Sequence, residues 1–204
     1  NNGMWANAVT VKDTNRQTYL NATPGTTISM DDITTMWVWI PRLKVNTTDF
    51  GTISGECSCD DTSYTTREEC EDNYSSWICP NPRAIDVTFV KPNETAIDAF
   101  TFGTKQLSGF WYAKFELSHS TLVSSSNSNN LGCTNETCSN ANGIKIKPNV
   151  TSLKNNNVSN FFFASRSMEQ TGNSFGFVSS EIDTHMSKNN EWGAVAYLTQ
   201  SIYG

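Results

Sequence analysis

The chain predicts an α+β fold: short antiparallel strands, two helices near the C-terminus and a disulfide-rich insertion. Three observations carry this. Aromatic and aliphatic residues alternate with strand period at Met36–Pro41 and at Gly109–Glu116. Apolar residues recur with helical period in two stretches of the last third, roughly 152–169 and 189–202. Six cysteines fall in two polar clusters rather than among aliphatic residues.

The elements follow in order. From Trp5 to Lys12 (WANAVTVK), Val9 and Val11 share a face, which predicts a first strand. Thr14 to Asp32 reads as a turn-rich connection around Pro24-Gly25. Met36, Val38 and Ile40 then alternate with Trp37, Trp39 and Pro41. Large side chains on both faces predict a strand buried on both sides, and Pro41, lacking an amide donor, ends it. Between about 45 and 82 aliphatic residues nearly vanish, as expected of a surface insertion. A short helix is expected there over 66–73, capped by Thr65 or Thr66, with Trp77 closing it against the cysteines.

Ile85–Val90 alternates and predicts a strand; Phe100–Phe102 predicts a shorter one. In Gly109–Glu116, Trp111, Ala113 and Phe115 face one way, and Phe110, Tyr112 and Lys114 the other. A second Ser/Asn-rich insertion is expected at about 118–143, then a brief strand at Ile144–Ile146. The helix at 152–169 is expected to bury Val158, Phe161, Phe162, Ser165 and Met168. The last helix, 189–202, is expected to bury Trp192, Val195, Ala196 and Thr199. Asn189 or Ser187 would cap it, Glu191 would favour its positive first turn, and Gly204 would stop it. The expectation is one domain over 1–204, with surface insertions at about 45–82 and 118–143, whose core combines the aromatic strands with both terminal helices.

Composition narrows the function. Hydrophobic residues make up 37% and charged residues 17%, with Asn, Ser and Thr filling the difference. A net charge of −6 and no run of Lys or Arg argue against nucleic-acid binding and against docking on anionic membranes. No stretch approaches the ~20 apolar residues of a membrane-crossing helix. Residue 1 is Asn, and the chain is expected to be a processed product or part of something longer. The seven Asn-X-Ser/Thr sequons, at Asn21, Asn46, Asn73, Asn93, Asn135, Asn149 and Asn157, match what so Asn-rich a chain gives by chance.

Cys57, Cys59, Cys70 and Cys79 share the first cluster; Cys133 and Cys138 form the second. An even count in segments too polar to order themselves predicts disulfides and an oxidising compartment. Cys133–Cys138 spans a plausible tight turn. The other four allow three pairings, of which Cys57–Cys59 would make a strained ring. A structural zinc site fits poorly: C-x-C, ten residues, Cys, eight residues, Cys is not the paired spacing zinc takes.

Three segments together resemble the C-type-lectin-like superfamily, in the branch that includes formylglycine-generating enzymes. They are Val38-Trp39-Ile40-Pro41, Gly109–Glu116 with its Phe115-Glu116, and Lys188–Tyr197 with Glu191-Trp192. Pro148–Ser152 is similar to the segment that starts that family's first helix. A closer similarity is to pilin-like surface proteins of gut Firmicutes, carried by Met4–Val9, Trp37–Arg42, Gly109–Glu116, Lys147–Ser152 and Lys188–Gly204. The resemblance implies architecture and an extracellular location. The superfamily's catalytic cysteines and its calcium and sugar loops lie beyond the segment matched by Glu191-Trp192, so no residue here inherits those roles.

The candidate chemistry is sparse. His119 sits in LSHST without a nucleophile turn, and Asp183-Thr184-His185 with Glu181 reads as a helix-entry turn before a metal corner. Asp31-Asp32 and Asp60-Asp61 lack the spacing and glycine of a calcium loop. Gly143, Gly172 and Gly176 are isolated turn glycines. Trp37, Trp39 and Trp111 are expected in the core, leaving Tyr64 and Trp77 as ligand-contact candidates. No metal, cofactor or catalytic residue is expected. The expected function is non-enzymatic: an extracellular surface or appendage protein whose loops recognise a surface glycan or protein ligand. The alternative is a structural subunit of a pilus-like filament or phage-type fibre that binds copies of itself.

Overall fold

The computed structural model describes residues 5–46, 58–78, 85–121, 132–134 and 137–204. Among them the protein is a mixture of helix and strand, with small antiparallel sheets, four α-helices and two disulfides. In chain order the first elements are β1 (Asn7–Val11), α1 (Asp13–Leu20), β2 (Ile33–Pro41), β3 (Leu43–Val45), β4 (Ser58–Cys59), α2 (Arg67–Asp72), β5 (Trp77–Ile78) and β6 (Val87–Phe89). Then come β7 (Thr101–Phe102), β8 (Lys105–Gln106), β9 (Gly109–Ala113), β10 (Ser118–His119), β11 (Cys133–Thr134), β12 (Thr137–Cys138), β13 (Ile144–Lys145), α3 (Val158–Ser167) and α4 (Asn189–Thr199). The chain falls into two compact units, 1–40 with 109–188, and 41–108 with 189–204.

The first unit is built on the sheet β1-β2-β9, with β2 in the middle. Strand β1 pairs antiparallel with β2 from Asn7↔Val38 to Thr10↔Thr35, and a bulge follows at Thr10/Val11. On one face Thr35 is fully buried, 2.5 Å from the Thr10 hydroxyl, and accepts from the Trp37 indole at 2.8 Å. Trp37 packs on a core of Ile144, Ile146, Leu153, Ala164, Met168 and Phe175. Helix α3 lies against the β11–β12 hairpin, whose Cys133–Cys138 bond packs on the same core.

Two helix expectations fail in this unit. Residues 14–32 are not all turn: Asp13–Leu20 is a helix that buries nothing. Its polar sequence hides it from hydrophobic periodicity, and side-chain bonds hold it instead. Arg16 pairs with Asp13 at 2.6 Å, and the Tyr19 hydroxyl donates to Asp32 at 2.7 Å. Helix α3 is shorter than expected and rotated. Val158 is 74% and Phe162 44% exposed, whereas Ala164, Ser167 and Met168 are buried and Phe161 is half-buried. The small Ala164 and Ser167 mark the buried side of the helix.

In the second unit β3 pairs antiparallel with β6, from Leu43↔Phe89 to Val45↔Val87. Leu43 and Phe100 are fully buried, the latter in a 3-10 turn over Asp98–Phe100. Arg42 is 3% exposed and has no carboxylate partner among the described residues. Its guanidinium donates instead to the carbonyls of Glu94 (2.7 Å), Phe100 (3.1 Å) and Leu107 (3.3 Å) and to Gln106 Oε1 (2.6 Å). Those bonds fold the 94–107 segment around one side chain. Helix α4 packs on the Asp98–Phe100 turn. Its buried residues are Ala194 and Leu198, while Trp192, expected inside, is 61% exposed. The two C-terminal helices therefore serve different units instead of sharing one core.

Candidate functional site

The first cysteine cluster belongs to the second unit. Thr66 caps α2 by accepting from the Glu69 amide at 3.3 Å, as its residue type predicts. The cap sets Cys70 facing β4, where it bonds Cys59 with Cα atoms 5.7 Å apart. Cys57 and Cys79 lie outside the described residues. Both sulfurs of the Cys59–Asp60–Cys70 group are consumed in the disulfide, so this group offers no thiolate to a metal.

The aspartates here are turn builders. Asp60 Oδ1 accepts from the amides of Asp61 and Ser76, both at 2.9 Å, and Asp61 Oδ1 accepts from Ser63 at 2.9 Å. The Ser63 amide bond holds the Asp61 carboxyl below its ordinary pKa. Tyr64 is half-buried, its amide bonded to the Asp61 carbonyl. Trp77 pairs through its backbone with Cys59, and its side chain lies outside the described positions. The structure thus puts Tyr64 and Trp77 in one disulfide-tied loop system.

The other candidates are structural. His119 is 9% exposed and both ring nitrogens are engaged: Nε2 lies 2.8 Å from the Asn140 carbonyl, and Nδ1 accepts from the Thr121 amide at 3.2 Å. That pattern is the Nε2-protonated neutral ring. Asp183 bridges His185, at 2.7 Å, and Arg166. Arg166 also reaches the buried Glu169 at 3.1 Å, whose other oxygen accepts from the Thr184 amide at 2.6 Å. This network ties the 183–185 segment to the end of α3.

A concave site lies elsewhere in the first unit. An open groove of about 450 Å³ runs between residues 114–116 and 147–152. Its walls are stitched together at both ends. At one end Met36 of β2 serves both: its carbonyl accepts from the Lys114 amide (3.0 Å) and its amide donates to Ile146 (2.8 Å). At the other, the Leu153 amide donates to Leu117 (2.8 Å) and the Ser118 hydroxyl to Thr151 (2.6 Å). Asn149 turns the second wall in the left-handed region, at φ 59°, which Asn tolerates better than most residues.

The lining combines Lys114 and Lys147 with the Phe115 ring, 37% exposed, the polar Asn149 and Ser152, and one carboxylate, Glu116. Among the described residues no carboxylate lies within ion-pairing distance of either lysine. Lys147 Nζ donates to the Met30 carbonyl at 2.9 Å, which fixes the ammonium. Burial, with the charges of Lys147 and Lys12, pulls the nearby Lys145 below the ordinary lysine pKa. The groove thus carries two lysines against one carboxylate, although the chain as a whole carries −6.

Residue-by-residue reading missed this site, since each wall is an unremarkable loop. The one signal was that Phe115-Glu116 and Pro148–Ser152 both carried the family resemblance. Trp111, expected in the core, is a second surprise: it is 47% exposed, edge-on to Trp39 at 5.2 Å. Gly109 makes room for that arrangement, since a Cβ there would lie 2.5 Å from the Trp39 ring.

In comparisons with known proteins, no family model, no curated protein and no solved structure matches the chain. Among the described residues no helix is long and apolar enough to cross a membrane, and the two disulfides fit an oxidising compartment.

Proposed function

We propose that this chain is a non-enzymatic recognition module of C-type-lectin-like type, carried by an extracellular surface or appendage protein. The observation that carries the reading is the groove at 114–116 and 147–152: concave, exposed, and held by backbone bonds at both ends. Such a site can bind without rearranging, which keeps the entropic cost of binding low. The titratable groups that sequence singled out support the same reading. His119, His185, Asp60, Asp61 and Asp183 are engaged in turns and ion pairs, an arrangement that stabilises loops.

The test is a binding screen of the intact, oxidised protein against glycan and surface-protein arrays, followed by calorimetry of the hits. The reading predicts saturable binding that is retained with metal chelators. Array-wide silence together with reversible polymer formation in sedimentation velocity would replace it with the filament reading. One observation favours that alternative. The second unit exposes Phe89 (40%) against Tyr203 (43%), ring centroids 4.9 Å apart, next to Ile202 (80%). Apolar residues so placed suit a contact between copies.

A further inference from the structure

Resting on the recognition reading, we propose that the groove binds an acidic sugar: a saccharide whose carboxylate sits between Lys114 and Lys147. The first argument is charge. Two lysines, neither with a carboxylate partner among the described residues, line the same concavity in a protein that is acidic overall. A carboxylate there gains charge-assisted hydrogen bonds. Lys147 is already oriented by its bond to the Met30 carbonyl and keeps two donors for a ligand.

The second argument is the carboxylate on the Lys114 wall. Glu116 lines the groove too, and a purely anionic ligand such as phosphate would be repelled by it. A sugar acid presents both complements: a carboxylate for the lysines and hydroxyl donors for Glu116. Asn149 and Ser152 add further hydrogen-bonding groups. The third argument is apolar. The half-exposed Phe115 ring offers a face on which the C–H face of a pyranose can lie. A volume near 450 Å³ falls in the range of roughly 300–1,000 Å³ typical of small-ligand sites, and its openness suits the end of a chain.

The same lining admits a rival, a zwitterionic amino acid or peptide terminus, with its ammonium on Glu116. The experiment separates them. The intact oxidised protein is titrated by calorimetry and by amide chemical shift with a uronic-acid disaccharide, with its neutral methyl-ester counterpart, and with a free amino acid. Lys114→Gln, Lys147→Gln and Phe115→Ala are measured alongside, their folding checked by circular dichroism and by unchanged shifts in α3.

The proposal expects the uronate to bind, the ester to bind about tenfold more weakly, and each lysine variant to lose about tenfold. Shifts should centre on 114–116 and 147–152. Equal affinity for acid and ester, or folded lysine variants that bind normally, would overturn it. So would tighter binding of the amino acid. If the uronate fails while other array glycans bind elsewhere on the protein, the groove assignment falls and the recognition reading stands. If nothing on the array binds, both fall.

Discussion

Replacing Arg42 with methionine removes one donor from each of four acceptors while keeping most of the side chain's volume. The guanidinium bonds three carbonyls and the Gln106 amide oxygen, all within 3.3 Å, and is itself 3% exposed. Stranding a buried carbonyl costs about 1–3 kcal/mol. Phe100 O is the most buried of the four but keeps the Leu107 amide as a donor, and the other three lie in part-buried surroundings. Counting each of the four lost bonds at about 1 kcal/mol gives about 4 kcal/mol. Methionine no longer carries the desolvation cost of a buried charge, which takes back part of this and leaves about 2–3 kcal/mol. Urea unfolding followed by tryptophan fluorescence measures the total. Hydrogen exchange localises it, with protection lost at the Leu107 amide, which bonds Phe100 O at 2.8 Å. A variant within about 0.5 kcal/mol of the parent, with the Leu107 amide still protected, would refute the claim that this side chain organises the 94–107 segment.

Three further outcomes follow from the packing. Gly143→Ala places a Cβ 2.1 Å from His119 Nε2, so it should break the bond to Asn140 and lower stability by about 2–3 kcal/mol, visible in thermal unfolding and in the His119 ring resonances. Leu198→Ala should cost about 2–4 kcal/mol, while Trp192→Ser should stay within about 0.5 kcal/mol, in the same denaturation assay; equal losses would restore the stripe read from sequence. The Tyr19–Asp32 bond lowers Asp32 from 3.8 and raises Tyr19 from 10.0. Its contribution is present above 3.8 and fades as pH falls through the lower folded value of Asp32. On the alkaline side it is present below 10.0 and fades as pH rises through the higher folded value of Tyr19. The stability gap between the parent and Tyr19→Phe should therefore be widest at neutral pH and close at both extremes.

Much of the strand framework is legible in the residues. The alternation at β2 and β9, the proline that ends β2, the Thr66 cap and the Cys133–Cys138 hairpin all follow from local chemistry. Helix orientation does not. Phe161, Phe162 and Phe163 are consecutive and sweep over more than half the helix circumference, so hydrophobicity alone cannot choose which of them turns inward. In α3 the inward side is the one that carries the fully buried Ala164, and in α4 the one that carries the fully buried Ala194. Helix α1 was illegible because its support is polar and comes partly from Asp32, twelve residues past its end. The groove was illegible because its walls stand some thirty residues apart in sequence and are joined through the peptide groups of Met36 and Leu117 and the Ser118 hydroxyl.

That stitching separates framework from decoration. The bonds at Met36, Ile146, Leu117 and Leu153 are made by main chain, which every amino acid but proline supplies, while the aperture is painted by side chains that take no part in them. Lys114, Phe115 and Asn149 can therefore be exchanged one at a time, with Asn149 limited to residues that accept its backbone angle, and the scaffold should hold its shape. The molecule is in this respect a ready mount for a combinatorial library, and a lineage that needed a new taste in ligands could acquire one by the same small edits.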